Sequence, residues 1–203
     1  MPTVLSLQSR VAYGHVGNAA SVFPLQRLGI EAWALDTVAF SNHTGHGRWR
    51  GSVVAATEIA GLFEGIAELG ILPQIDAVLS GYLGDAASAA AALRERGPSI
   101  ALITSLDAEP DHVTMLAAGP DGAWAVETPR LPVVLNGCGD VTAALFLAHL
   151  LRGESLPDAL ALTAAAIFAV IETTLHLGRY ELALVAAQDE LLSPSRRFEP
   201  RRV

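Results

Sequence analysis

The chain has 203 residues, 51% of them hydrophobic, a mean hydropathy of +0.39 and a formal net charge of −8. That length fits one domain with a sizeable core, and the acidity excludes a general binder of nucleic acid or anionic membrane. All 13 basic residues are arginine and Cys138 is the one cysteine, which excludes a Walker-type phosphate loop, a protein-kinase strand lysine, a lysine Schiff base, an internal disulfide and a cysteine zinc cluster.

Val4 to Leu7 reads as a short apolar strand that ends in the polar turn Gln8-Ser9-Arg10. Gly14, Gly17 and Asn18 form a loop before a helix from about Ala19 to Leu28, closed by Gly29. Glu31 to Val38 is a second strand, and Ser41 to Gly51 a loop rich in Gly, His and Asn. Thr57 to Leu69 is amphipathic, with Ile59, Leu62, Phe63, Ile66 and Leu69 at helical spacing. Asp76 to Ser80 is a buried strand running into Gly81-Tyr82-Leu83-Gly84, and Asp85 to Arg96 an Ala-rich helix.

Ser99 to Ile103 is a further strand ending in Thr104-Ser105. Val113 to Ala117 and Ala123 to Val126 form an antiparallel pair around Gly119-Pro120-Asp121-Gly122. Val141 to Leu151, Pro157 to Leu175 and Tyr180 to Leu191 are apolar helices, and the arginine-rich tail from Ser193 is expected to fray. His149, Thr163 and Glu172 interrupt the longest apolar runs, so no membrane span is expected. No charged leader precedes the first apolar run, so the expected location is cytoplasmic. Alternating strands and helices imply an α/β fold with a mostly parallel sheet, with ligands at the carboxyl ends of strands.

Asn136-Gly137-Cys138-Gly139-Asp140-Val141-Thr142 carries the strongest chemical signal. Two glycines and a carboxylate stand at the mouth of a long apolar helix. Glycines let the backbone pass close to an anion, and the first amides of a helix lack intrahelical partners and carry positive partial charge. Asp140 is therefore read as a base for phosphoryl transfer to a hydroxyl, with the amides of Gly137, Cys138 and Gly139 as the anion hole. Cys138 is read as a small spacer whose pKa the electropositive surroundings could lower. Tyr82 is either a packed lid on a strand-to-helix turn or a face on which a planar ring stacks. Ser9 to Asn18 lacks the dinucleotide glycine pattern. His43 and His46 are read as polar loop residues, because no third ligand is near in sequence. His149 is read as an ordinary scattered histidine, and the metal ligands are unknown.

These residues together resemble the pyridoxal kinases of the ribokinase-like superfamily, in particular the bacterial PdxY-type branch. The matching stretches are Leu7 to Asn18, Phe40 to Thr44, Leu79 to Gly84, Gly137 to Asp140, Tyr180 to Leu182 and Val185 to Gln188. The resemblance implies one ribokinase-like domain over residues 1–203, a three-layer sandwich around a mostly parallel sheet. By position it implies Ser9, Thr44, Gly45 and Tyr82 as substrate contacts, and Asp140 as the base that activates the 5′-hydroxymethyl group of pyridoxal. Thr104 and Ser105, with Thr128, Pro129, Arg130 and Leu131, fall on the ATP side. ATP with Mg2+, a homodimer and a role in vitamin B6 salvage follow from the family.

The departure from the family lies at Arg94 to Ser99. There the chain passes from a helix straight to a strand that the family reaches much later. A block of several dozen residues, expected between about 97 and 99, is absent, and with it central strands and acidic groups of the metal–ATP site. The leading expectation is ATP-dependent pyridoxal phosphorylation. The alternatives are a catalytically impaired pseudokinase that binds a B6 vitamer, and a kinase for a related ring such as hydroxymethylpyrimidine.

Overall fold

A computed structural model describes residues 1–81, 99–106 and 111–203. The expected helix Asp85 to Arg96 and Tyr82 lie outside the described residues, as does the side chain of Ser105. The chain packs as two compact units, Met1–Glu95 and Arg96–Val203.

The first unit is built on β1 (Thr3–Tyr13), α1 (Asn18–Arg27), β2 (Glu31–Asn42), β3 (Gly51–Val53), α2 (Ala56–Glu68) and β4 (Ala77–Ser80). Its sheet has the order β3-β2-β1-β4, with β1 parallel to both neighbours and β3 antiparallel to β2. Both faces of β1 are covered along Thr3 to Ser6, which is why the strand reads as a nearly continuous apolar run. A parallel partner for β1 requires a crossover, and α1 supplies it. This helix ends as its sequence predicts. Gly29 takes φ 78°, its N–H donates to Gln26 O, and the Ile30 N–H donates to Leu25 O, leaving Ile30 and Leu25 buried.

Both β1 and β2 run further than the sequence suggests. Gln8-Ser9-Arg10 is not a turn but the middle of β1, and β2 continues to Asn42. The reason is parallel pairing, which carries polar residues along in the ladder irrespective of their turn preference. The strand Ala77–Ser80 buries only Leu79. α2 forms where predicted, but its apolar stripe is not core: Leu62 is 50% exposed and Phe63 40%.

The second unit contains β5 (Ala101–Leu106), β6 (His112–Gly119), β7 (Gly122–Pro129), α3 (Cys138–Leu151), α4 (Leu156–His176) and β8 (Arg201–Arg202). Its sheet, β5-β6-β7-β8, is antiparallel throughout. Parallel pairing is thus confined, among the described strands, to β2-β1-β4. The β6–β7 hairpin is in continuous register from His112↔Pro129 to Gly119↔Gly122, around the predicted turn. α4 packs on α3, β6 and β7, burying Ala164 to Val170 against a core that includes Leu145, Ala125 and Val126. With 21 residues it is long and apolar enough to cross a membrane by length and composition, but here it is a core helix.

Two expectations about the C-terminal part are corrected. Tyr180 to Leu191 is not a continuous α-helix. Its hydrogen bonds mix spacings, with the Ala187 N–H donating to Ala183 O but the Glu190 N–H to Ala187 O. The Ala183 N–H itself donates to the Thr174 hydroxyl at 2.9 Å, and that hydroxyl donates to Val170 O at 2.6 Å. The apolar spacing of Leu182, Leu184, Ala187 and Leu191 reflects burial, which a run of turns also achieves. The tail is docked, not frayed. Arg196 pairs with Glu172 at 2.8 Å and its guanidinium lies over Phe168. Phe198 meets the same ring edge-on, Arg201 pairs with Glu127, and β8 extends the sheet.

His149 on α3 is 4% exposed, and neither ring nitrogen has a hydrogen-bond partner among the described residues. Burial, with Arg152 adding to it, pushes its pKa down to about 4. The unfolded chain takes up this proton near pH 6.5, whereas the folded chain holds off until about pH 4. Between those values the unfolded state binds more protons, so stability falls as pH falls, by about 1.4 kcal/mol per unit. Urea unfolding between pH 7 and 4.5 is expected to show this slope, and His149→Leu to flatten it. A second test addresses Thr174: Thr174→Val leaves the buried Ala183 N–H without an acceptor, and is expected to cost about 1–3 kcal/mol in the same assay.

Candidate active site

The loop singled out in the sequence is the first turn of α3. Gly137 is the residue that enters the helix, at φ 84° and ψ −7°, a left-handed conformation that favours glycine. Cys138, Gly139 and Asp140 are therefore the first three helical residues, and Asp140 sits inside the turn, not ahead of it. The first intrahelical bond is from the Val141 N–H to Gly137 O at 3.0 Å. The amides before it are the ones that a helix leaves without internal acceptors, at the positive end of its dipole.

This turn opens on a cavity of about 250 Å³ in the second unit. Cys138, Gly139 and Thr142 form one wall, Thr104 and Met115 another, and the segment Thr128 to Leu131 a third, with Phe168 and Ile171 of α4 below. Five separate stretches of sequence, β5, β6, the end of β7 with the residues after it, α3 and α4, thus meet at one place. An ideal Cβ on Gly139 would meet no heavy atom within 4 Å. No neighbour within the protein requires a glycine there, and the room is open to a ligand. The apolar walls suit a planar base, and the helix terminus suits phosphate.

Thr104 is half-buried on β5, and Thr128 is buried on β7. Pro129 and Arg130 are exposed at the end of that strand, with Leu131 half-buried. Arg130 is anchored through its backbone N–H to Asp111 O and through Nη2 to His112 O. It is the charged side chain among those lining the cavity. Asp140 is half-buried and is not a lining residue itself, although it lies close enough to Cys138 for its charge to act there.

The thiol of Cys138 is pushed up to about 11, mainly by burial, with Asp140 adding and a backbone hydrogen bond opposing. This corrects the expectation of a lowered value. Desolvation outweighs the helix terminus, and the protonated thiol is a spacer, not a nucleophile.

In the first unit, Ser9 lies half-buried in mid-strand at an irregularity of the sheet. Gln8 pairs with Asp36 and Arg10 with Ala39, so Ser9 stands opposite two residues, Thr37 and Val38. This is a bulge, with the extra residue in β2. Gly17, at φ 54°, packs so closely on Ser9 that a Cβ would collide with its carbonyl and hydroxyl. Thr44 and Gly45 are exposed on a short 3₁₀ turn, Thr44–His46, just beyond the carboxyl end of β2. The rings of His43 and His46 stack with centroids 4.3 Å apart.

Sequence reasoning missed Thr142, whose hydroxyl donates to Cys138 O at 2.7 Å, and the α4 wall of the cavity. Only the apolar periodicity of α4 was visible, and that does not distinguish a core face from a cavity floor. It also missed the buried polar residues beneath Ser9. Their signal was present: Ser6 and Gln8 alternate with apolar residues in a strand whose both faces are covered.

Comparison with known proteins places this geometry. The pyridoxal kinase PdxY of Rubrobacter xylanophilus is 42% identical over 281 residues, covering 98% of this chain and 97% of its own. The PdxY of Deinococcus radiodurans is 37% identical over 286 residues, with coverages of 98% and 96%. The chain belongs to the PdxY-type pyridoxal kinase family. A solved pyridoxal kinase from Leishmania donovani, in complex with ADP and pyridoxine, superposes with a TM-score of 0.87 over 99% of both chains. At 21% identity it shows the fold alone, which is ribokinase-like as expected. No family model matches the chain. The Rubrobacter alignment runs over 281 residues and takes in nearly all of both proteins, yet this chain has 203. The family member described here is therefore shorter than its relatives.

The open space at Gly139 gives a test in which stability and activity part. Gly139→Ala adds a methyl group that meets no protein atom and improves helix propensity, so it is expected to stabilise the fold by about 0.5–1 kcal/mol. If this turn accepts the phosphate, as its sequence suggests, the same methyl group obstructs it, and ATP turnover is expected to fall at least about tenfold. Thermal unfolding and a coupled ADP assay read the two effects.

Proposed function

We propose that the chain phosphorylates the 5′-hydroxymethyl group of pyridoxal with ATP. The observation that carries this reading is the convergence of Thr104, Thr128 to Leu131 and the Cys138–Gly139 turn on one cavity, in a member of the pyridoxal kinase family. ATP supplies the phosphoryl group. The hydroxyl oxygen of pyridoxal forms the new bond to the γ-phosphorus, the bond to the ADP oxygen breaks, and Asp140 takes the hydroxyl proton. The amides of Cys138 and Gly139 donate to the charge that develops on the transferred group, and Arg130 adds positive charge at the cavity wall. Thr104, Thr128, Pro129 and Leu131 position the nucleotide, Ser105 following Thr104 on the same strand. Ser9, Thr44, Gly45 and Tyr82 hold the pyridine ring.

Magnesium belongs to the reading as the partner of ATP. Among the described residues that line the cavity there is no carboxylate, so no protein ligand is assigned to it and no step is drawn through it. The reading puts the stretch that the family has and this chain lacks between about 97 and 99, and the division of the chain into two compact units at Arg96 is consistent with that. The reading includes a cytoplasmic homodimer with no nucleic-acid or membrane partner, supported by the net charge of −8 and by the burial of α4.

A second reading is a pseudokinase that binds pyridoxal without turnover, motivated by a chain of 203 residues that aligns with its Rubrobacter relative over 281. One experiment decides. The pure protein with pyridoxal, ATP and magnesium is expected to form ADP. Asp140→Asn is expected to lower kcat by at least about a hundredfold while changing pyridoxal affinity less than about threefold. Pyridoxal binding in calorimetry without any turnover establishes the pseudokinase, and turnover indifferent to Asp140→Asn removes the aspartate from its role.

A further inference from the structure

Beneath Ser9 lies a cluster of polar side chains that the reaction itself does not call on. Ser6, Gln8, Asn18 and Ser21 are each at most 3% exposed. The Ser6 hydroxyl donates to Asn18 Oδ1 at 2.7 Å, and Gln8 Nε2 donates to the hydroxyls of Ser6 and Ser21, both at 3.0 Å. Asn18 Nδ2 reaches Asp36 Oδ1 at 2.8 Å, Leu35 O at 3.1 Å and Gln8 O at 3.4 Å. Apolar residues would hold α1 on the sheet without the desolvation that these groups incur.

The partners of Asn18 explain the choice. Gln8 and Asp36 are the last pair in register before the bulge, and Ser9 is the single β1 residue that faces the two bulged residues, Thr37 and Val38. Asn18 therefore grips both strands at the step immediately preceding Ser9. Its chain neighbour is Gly17, whose backbone presses on the Ser9 carbonyl and hydroxyl. Gln8 reaches a third element as well, since a Cβ on Gly81 would lie 2.5 Å from its Oε1. Gly81 is the residue that leads into Tyr82.

We propose that Asn18 and Gln8 are positioning residues for the acceptor: the buried amide cluster fixes the β1–β2 bulge and the Gly17 turn, and so sets the direction of the Ser9 hydroxyl toward the pyridine ring. This rests on the reading of Ser9 as a ring contact. A cluster that only fastened α1 would contribute to stability and leave affinity alone.

Calorimetric titration of the full chain with pyridoxal, and separately with ATP, tests the assignment on Ser9→Ala, Asn18→Ala and the double variant. Asn18→Ala is expected to weaken pyridoxal about tenfold and to leave ATP within about twofold, and the double variant to bind no more weakly than Ser9→Ala by more than about twofold, the non-additivity of residues acting through one another. Losses that multiply in the double variant, or an Asn18→Ala protein that keeps its pyridoxal affinity while Ser9→Ala loses it, overturn the positioning role and leave the kinase reading intact. Failure of the unmodified protein to bind pyridoxal overturns both, and is seen before any variant is made. Should Asn18→Ala not fold, Ser21→Ala removes a single acceptor of Gln8. It is expected to weaken pyridoxal about threefold with the same non-additivity against Ser9→Ala, and an unchanged affinity there refutes the proposal.

Discussion

A helix cannot satisfy its own first amides, and the second unit is arranged around that deficit at α3. Gly137 makes the entry possible by adopting φ 84°. Cys138 and Gly139 line a cavity whose other walls come from β5, β6, β7 and α4. With no lysine anywhere in the sequence, the proposed phosphate site would draw its positive potential from the peptide dipoles of this turn and from Arg130. The long apolar body of α3 serves the same end, because burial of Val141, Leu145 and Phe146 holds the helix axis and with it the direction in which those amides point.

The first unit carries an irregularity in the middle of its central strand pair. The extra residue in β2 breaks that strand's alternation opposite Ser9, so that Thr37 and Val38 are both buried, and a buried set of amides and hydroxyls lies beside the break. A parallel sheet tolerates this poorly unless the groups freed from the ladder are bonded elsewhere, and Asn18 supplies two of those bonds to main-chain oxygens.

What was legible in the sequence follows the range of the interactions involved. The end of α1 at Gly29, the β6–β7 turn and the course of α2 are local, and each was visible in residues a few positions apart. The glycine turn into α3 was visible because Gly-Cys-Gly-Asp stands directly before an apolar run. The length of β1 was not, since it depends on a ladder with β2, some 28 residues on, which the polar Gln8-Ser9-Arg10 conceals. Nor was the fate of Leu182 to Leu191, where one long-range bond to Thr174 displaces a helical one. The raised pKa of Cys138 was missed for a related reason: the charge environment can be read from neighbours in sequence, but burial cannot.

α2 is the less buried of the two described helices in the first unit. It carries the most evident amphipathic pattern there, yet no residue in it is fully buried, and among the described residues its contacts are mainly with β2. Its cohesion with the sheet is accordingly weak, whereas α1 is fastened by buried hydrogen bonds. Opening of α2 therefore costs far less than unfolding of the unit, and its amides exchange with solvent through local excursions while β1 and β2 stay protected. The first unit is in this sense graded, with a persistent parallel core beside a helix that comes and goes.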